Sequence, residues 1–386
     1  MRALPMFDPV KLQFNVSDLL QAPRRALSGK QIWLHFRGVV TAYVILLPAI
    51  YAALLLSGLP LAKVWDQYGL YPFFAPAQAS QTLAGLLPYA LYLLGWTWAI
   101  AVIMLSSAAG SRATYRELKG DPFYGVLEAR AHARRYWGSV LLSPVTLMAI
   151  VIFALMVAAL LGLLSSIPYI GDLIFIGLLP VNLAGAIFTL LTLAVVLVLV
   201  TMSPAVTATW EDDATGTAFQ VFAAVWNQPL RVLIYPLIVG VLAALSLMIF
   251  GWVVTFGYQL VVAVFSSRWL MGEHLLALLA WAEKIAFSGY PALLTYIPGP
   301  SSGSLAASLT GWATLMGGLL ALMLMALYGM VLAYGLAVVS AGQTLSFIGI
   351  KWHMDHENLL EREDSEDSVE AAAESSDSEP GDTADA

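Results

Sequence analysis

Six stretches of this chain carry no charged residue over lengths that suffice to cross a lipid bilayer. They are residues 38–60, 82–111, 138–170, 173–210, 232–267 and 286–350. A transmembrane helix needs about 20 apolar residues, and within hydrocarbon only helices and closed barrels satisfy their own backbone polar groups. The chain is therefore predicted to be an all-α polytopic bundle of about six transmembrane helices.

Breaks in composition set the expected limits of these spans. Residues 288–308 are rich in glycine, proline and serine, so the sixth span should begin near Leu309. The predicted spans are 38–60, 82–110, 138–164, 173–203, 232–265 and 309–350. The fifth is long enough to be either one tilted helix or two shorter helices, and both interpretations stay open.

The C-terminal region differs from the rest of the chain in composition. Overall, charged residues make up 11% of the chain, against about 25% in a typical soluble domain. Residues 351–386 nevertheless hold 13 of the 25 acidic side chains. We expect this acidic tail to be disordered because it cannot bury a core, and deletion after Asn358 to leave folding unchanged.

The distribution of lysine and arginine predicts the orientation of the spans. With six spans, 15 of the 18 basic residues fall on the side of the two termini and three on the other side. Cytoplasmic loops are enriched in lysine and arginine. We expect a multi-pass protein of a bacterial inner membrane, with a cytoplasmic N-terminal segment 1–37, a membrane domain 38–350 and a cytoplasmic tail 351–386.

Two loops on the predicted cytoplasmic side carry opposite charges. These candidate interaction residues are Arg130, Arg134 and Arg135 in the first loop and Glu211, Asp212 and Asp213 in the second. One interpretation is that the two loops dock through these charges. The other is local: the acidic residues favour the start of a helix, and the arginines contact lipid phosphates at the membrane surface.

Each of these loops is predicted to contain an amphipathic helix. The first should begin at Asp121, with the proline after it at the first helical position, and should place His132 on its polar side. The second should begin near Thr215, and its predicted buried stripe consists of Phe219, Phe222 and Trp226. A third amphipathic helix is predicted at residues 268–287 on the other side of the membrane.

The N-terminal segment has a different periodicity. Its apolar residues alternate with polar ones, and they are Val10, Leu12, Phe14 and Val16. A period of two is typical of extended backbone. The segment is predicted either to pair with a strand of a partner or to lie as an extended strap on the surface of its own chain.

Three long segments carry a characteristic order of residues. They are GSRATYRELKGDPFYGVLEARAHARRYWGSVLLSP (residues 110–144), IPYIGDL (167–173) and PAVTATWEDDATGTAFQVFAAVWNQPLRVLIY (204–235). With the opening MFDPVKLQFNVSDLLQAPRRALSGKQIW and SAGQTLSFI in the last span, they resemble a family of uncharacterised six-span proteins of planctomycetes and related bacteria. The pattern is also distantly similar to the membrane domain of some glycerophosphodiester phosphodiesterases. The resemblance implies a fold and a topology but no activity, and the acidic triplet departs from the single glutamate expected at its position.

Motifs that would indicate catalysis or cofactor binding are absent from the sequence. There is no cysteine, no phosphate-binding loop and no serine-hydrolase or zinc-protease motif. The cores of the predicted spans also lack the ionisable residues that a proton-coupled carrier needs. We expect no enzymatic activity, no cofactor, no metal and no nucleic-acid partner.

Two functional hypotheses fit this pattern. The first is a non-enzymatic membrane subunit that scaffolds, anchors or stabilises a larger inner-membrane complex. Its expected partners are membrane lipids and other inner-membrane subunits. The alternative is a transporter or channel for an apolar or lipid-like solute, because such a solute needs no buried charge on its path.

Overall fold

The computed structural model describes residues 8–70, 72, 78–79, 82–287 and 311–364. The regular elements within these residues are helices. In chain order they are α1 (Val16–Leu19), α2 (Ala22–Ala26), α3 (Gly29–Leu56), α4 (Leu61–Tyr68), α5 (Leu86–Leu118), α6 (Val126–Arg135), α7 (Trp137–Ser165), α8 (Ile170–Trp210), α9 (Ala214–Asn227), α10 (Pro229–Phe265), α11 (Glu273–Phe287) and α12 (Trp312–Asp355). Six of them, α3, α5, α7, α8, α10 and α12, are long and apolar enough to cross a membrane. The predicted all-α, multi-pass fold is confirmed.

Several of the long helices extend past the predicted spans. The helix α5 continues to Leu118, and α12 continues to Asp355. Hydropathy marks only the apolar part of a helix, whereas backbone hydrogen bonding continues into the polar region. The predicted fifth span is one helix, α10, of 37 residues. Its length of about 55 Å, at about 1.5 Å per residue, exceeds the hydrocarbon thickness of about 30 Å.

The chain divides into two compact units. Unit 1 comprises residues 1–30, 104–242 and 338–386, and unit 2 comprises residues 31–103 and 243–337. In unit 2, α3, α4 and α5 share a core whose fully buried members include Ile50, Leu54 and Tyr92. A Cβ on Gly95 of α5 would lie 2.9 Å from the Cβ of Ala49 on α3. Glycine therefore permits the close approach of these two helices.

The helices α7 and α8 form a hairpin in unit 1. A Cβ on Gly171 would lie only 2.1 Å from the carbonyl oxygen of Ser165, so the hairpin turn requires glycine there. The halves of α7 and α8 that adjoin this turn are mostly exposed, with large apolar residues such as Phe153, Leu163 and Leu173 more than 60% accessible. In a membrane these surfaces face hydrocarbon or another protein.

The helix α9 confirms the predicted element but not its predicted buried face. It begins after Asp213, close to the expected start. Phe219 and Trp226 are 74% and 72% exposed, however, and the buried residues are Thr217, Ala218, Val221 and Ala224. The prediction is wrong for Phe219 and Trp226, whereas Phe222 is partly buried. Small side chains allow close helix packing, which leaves the two exposed aromatic residues outside.

The helix α6 begins later than predicted. Its N-cap is Gly125, whose backbone N–H donates to the Glu128 carboxylate at 2.7 Å. The Asp121 carboxylate instead accepts from the backbone N–H of Phe123 in the preceding turn. His132, predicted on the polar side, is buried at 4% exposure.

The N-terminal segment lies against its own chain. The backbone N–H of Val10 donates to the carbonyl of Leu118 at 2.9 Å. The ring of Phe14 stacks on Trp352 with centroids 4.5 Å apart. Leu12 is partly buried, and Val16 begins α1. These contacts are those of a strap on the protein's own surface, which is the second of the two interpretations.

A glycine in α12 provides a test of helix packing within unit 1. A Cβ on Gly342 would lie 2.5 Å and 2.7 Å from the two γ-carbons of Val239. Valine is stiff at χ1 and Val239 is fully buried, so it cannot move aside. We expect Gly342→Ala to destabilise the protein by about 1–3 kcal/mol, measured as a lower melting temperature in detergent. The control is Gly240→Ala, where a Cβ meets nothing within 4 Å; an equal loss in both variants would contradict the packing argument.

Candidate functional site

A buried arginine lies at the centre of the charged residues of unit 1. Arg112, near the end of α5, has 0% of its side chain exposed. Its Nη2 atom lies 2.8 Å from Glu211 Oε1 and 2.8 Å from Asp364 Oδ2. Its Nη1 atom donates to the carbonyl of Ala208 at 2.9 Å. A buried charge is tolerated when it is paired, and here one guanidinium contacts two carboxylates and a helix end.

The Ala208 carbonyl that binds Arg112 lies in the last turn of α8. The last carbonyls of a helix lack partners within the helix, and the helix dipole favours a cation there. The chain then turns sharply, because Glu211 adopts a left-handed conformation with φ of 55°. Arg112 therefore stabilises the end of α8 and pairs with the first residue after it.

Two more cations bind the C-terminal segment. They are Arg116, in the last turn of α5, and Lys119, directly after it. The Lys119 Nζ atom lies 3.0 Å from Asp364 Oδ1 and donates to the carbonyl of Arg362 at 2.7 Å. The Arg116 guanidinium lies 3.6 Å from Asp364 Oδ1. Asp364, only 4% exposed, thus contacts the side chains of Arg112, Arg116 and Lys119.

The C-terminal segment corrects the predicted start of the acidic tail. Residues 351–355 complete α12, and Leu359 and Leu360 are buried at 0% and 2% exposure. The hydroxyl of Tyr115 donates to the carbonyl of Leu359 at 2.8 Å. The prediction of disorder from residue 351 is therefore wrong for residues 351–364. Residues 365–386 lie outside the described part of the chain.

The indole ring of Trp210 connects the same elements. The Nζ atom of Lys351 lies 4.0 Å from the ring centroid, and the Cζ atom of Arg362 lies 3.9 Å from it. Both distances are typical of cation–π interactions. Lys351 also donates to the side-chain oxygen of Gln220 on α9 at 3.0 Å. The end of α8 is thus held by residues from α5, α12 and the segment after α12.

The three acidic residues of the second loop have different roles. Glu211 pairs with Arg112. The backbone carbonyl of Asp212 accepts from Ser139 at 2.6 Å. Asp213 caps α9, since its carboxylate accepts from the backbone N–H of Gly216 at 2.6 Å. This hydrogen bond holds the pKa of the Asp213 carboxyl below its usual value. Of the three acidic residues, only Asp213 caps the N-terminus of a helix, which is the local role predicted for the triplet.

The predicted interaction between the two loops involves a histidine. The Nδ1 atom of His132 on α6 lies 3.9 Å from Glu211 Oε1. Arg134 and Arg135 are exposed, and no described carboxylate pairs with either; Arg135 instead lies over the ring of Tyr136. Arg130 is partly buried. The basic helix and the acidic loop therefore meet, but Arg134 and Arg135 are not the groups that join them.

Sequence reasoning missed the residues at the centre of this cluster. The predicted spans place Arg112 in a loop after the second span, and they place Asp364 in the predicted disordered tail. The available signal was that Asp364 follows the leucine pair at positions 359 and 360, the last adjacent bulky apolar residues of the chain. A leucine pair beside an acidic residue can dock a tail onto a bundle.

A second buried carboxylate lies in unit 2. Glu283 of α11 is 4% exposed, and the hydroxyl of Tyr258 on α10 donates to its carboxylate at 2.8 Å. Burial raises the pKa of the Glu283 carboxyl, against a smaller opposing effect of the Tyr258 hydrogen bond. Helix α11 confirms the predicted helix from Glu273 onward, whereas residues 268–272 form a turn; the burial of Glu283 was not predicted.

Comparisons with known proteins add no assignment to this geometry. No family model matches the chain, and no curated protein or solved structure matches it either. Within the described residues, no group of three or more histidine, aspartate or glutamate side chains is arranged to hold a metal ion. The six-span family expected from the sequence stays a prediction.

Proposed function

We propose that this chain is a non-enzymatic integral membrane subunit that scaffolds or stabilises a larger inner-membrane complex. The observation that carries the proposal is the pairing of the charges around the buried Arg112 with one another. Arg112 binds Glu211, Asp364 and the end of α8. Charges that a carrier or an enzyme would present to a substrate are here used to hold helices together.

The same end of unit 1 presents exposed groups suited to a partner. Arg134 and Arg135 are exposed on α6, and the aromatic residues Phe219 and Trp226 are exposed on α9. Aromatic residues and arginine are enriched in protein interfaces. In the proposed arrangement this surface is cytoplasmic and contacts an acidic surface of another subunit.

The proposal is tested by purification from native membranes in a mild detergent at the natural level of expression. We expect a complex that contains another integral membrane protein, and we expect the level of that protein to fall when this chain is deleted. The variant Arg134→Glu with Arg135→Glu should reduce recovery of the partner several-fold.

The matched control is Lys63→Glu, which reverses an exposed cation of α4. It should leave partner recovery unchanged. If the arginines contacted only lipid phosphates, their reversal would also leave recovery unchanged, because six spans anchor the chain. Recovery of this chain alone or with its own copies, under all conditions, would contradict the proposal and favour a transporter of an apolar solute.

A further inference from the structure

An asparagine lies within the exposed part of the α7–α8 hairpin. Asn182 is about 18 Å from Ile170 along the axis of α8, at about 1.5 Å per residue. With the hairpin turn at one membrane surface, this places Asn182 near the middle of a hydrocarbon layer about 30 Å thick. The surrounding residues Leu179, Val181 and Leu183 are all apolar and exposed.

The side chain of Asn182 has no hydrogen-bond partner among the described residues. It is partly buried and shares a stripe with Ile174, Leu178 and Thr189, which are also partly buried. The Thr189 hydroxyl donates to the carbonyl of Gly185 within α8. Lipid tails offer neither donor nor acceptor, so an amide with no partner at this depth is costly, and a group from outside the described residues would stabilise it.

The surface of α8 next to Asn182 consists of small, exposed residues. Gly185 lies almost one turn further along α8, and a Cβ placed on it would meet nothing within 4 Å. Its neighbour Ala186 is exposed. Small residues allow the backbones of membrane helices to approach closely, and polar side chains then hydrogen bond between them.

We propose that Asn182 marks an interface between two copies of this chain, in which two α7–α8 hairpins pack together within the membrane. A side-chain amide contains both a donor and an acceptor, so it is complementary to a second copy of itself. A two-fold axis brings a residue against the same residue of the other subunit. The two Asn182 amides then hydrogen bond to each other, and both are satisfied.

This dimer is separate from the partner subunits proposed above, and its test uses the absence of cysteine from the chain. A single cysteine introduced by Ala186→Cys retains Asn182 and should give a disulfide-linked dimer when native membranes are oxidised. The control is Ala184→Cys, an exposed alanine on the opposite face of α8 at similar depth. We expect cross-linking at least about tenfold faster at position 186 than at position 184.

The role of the amide is tested by a second change in the Ala186→Cys protein. Asn182→Leu should reduce dimer cross-linking at least about tenfold, whereas Asn182→Gln, which keeps the amide, should retain most of it. Equal cross-linking at positions 184 and 186, or no effect of Asn182→Leu, would overturn the proposal. Cross-linking only to a different protein would also overturn it, and would assign the hairpin to a partner subunit instead.

Discussion

The variant Arg112→Met is expected to lose most of its folded population, because it leaves the carboxylate of Glu211, whose side chain is only 10% exposed, without its arginine. Breaking a buried ion pair by removing one partner typically costs about 3–5 kcal/mol, which is a large part of the stability of a protein domain. The variant also removes the guanidinium N–H that donates a hydrogen bond to the Ala208 carbonyl. The measurement is the melting temperature in detergent, together with the amount of protein in the membrane.

The double variant Arg112→Met with Glu211→Gln separates the effect of the unpaired carboxylate from the effect of the lost arginine packing. Asp364 keeps Lys119 as a partner at 3.0 Å, so neutralising Glu211 removes the main uncompensated charge. The double variant should therefore be more stable than Arg112→Met alone. Lysine at position 112 should rescue only in part, since one ammonium cannot reproduce the planar fork of arginine. A single variant as stable as the natural protein would show that the cluster does not hold the helices together.

Truncation after Asn358 is expected to destabilise the protein strongly, which reverses the expectation from the sequence. It removes Leu359 and Leu360, which are buried at 0% and 2% exposure, and it removes Asp364 from Arg112. Full burial of a leucine side chain contributes about 1.5–3 kcal/mol, so the combined loss is several kcal/mol. Membrane abundance and melting temperature of the truncated chain provide the measurement.

Truncation after Asp364 is the matched control for this experiment. It keeps every described contact of the C-terminal segment and removes only residues 365–386, which are rich in acidic residues, serine and alanine. This shorter deletion should leave stability unchanged. If both truncations behave alike, residues 359–364 do not stabilise the bundle. The substitution Leu359→Ala in the full chain should cost about 2–5 kcal/mol and would localise the effect.

The helix α9 shows why the sequence predicts the position of a helix better than it predicts which face of that helix is buried. The periodicity of the sequence predicts the helix α9, but it also predicts that the aromatic stripe is buried, as in a soluble protein. The structure buries Ala218 and Val221 and exposes Phe219 and Trp226. In a membrane protein an aromatic side chain is stable at the lipid–water interface, so hydrophobicity alone does not tell inside from outside.

The sequence by itself determined the six transmembrane helices and the all-α fold. Hydropathy suffices for this because each span must satisfy its backbone hydrogen bonds within itself, which is a local requirement. The tertiary structure alone decided which charges pair. Lys119 and Asp364, for example, are 245 positions apart, and no local pattern joins them. A charged residue can be exposed in a loop or buried in an ion pair. Which of the two occurs depends on which helix ends come together, and tertiary packing decides that.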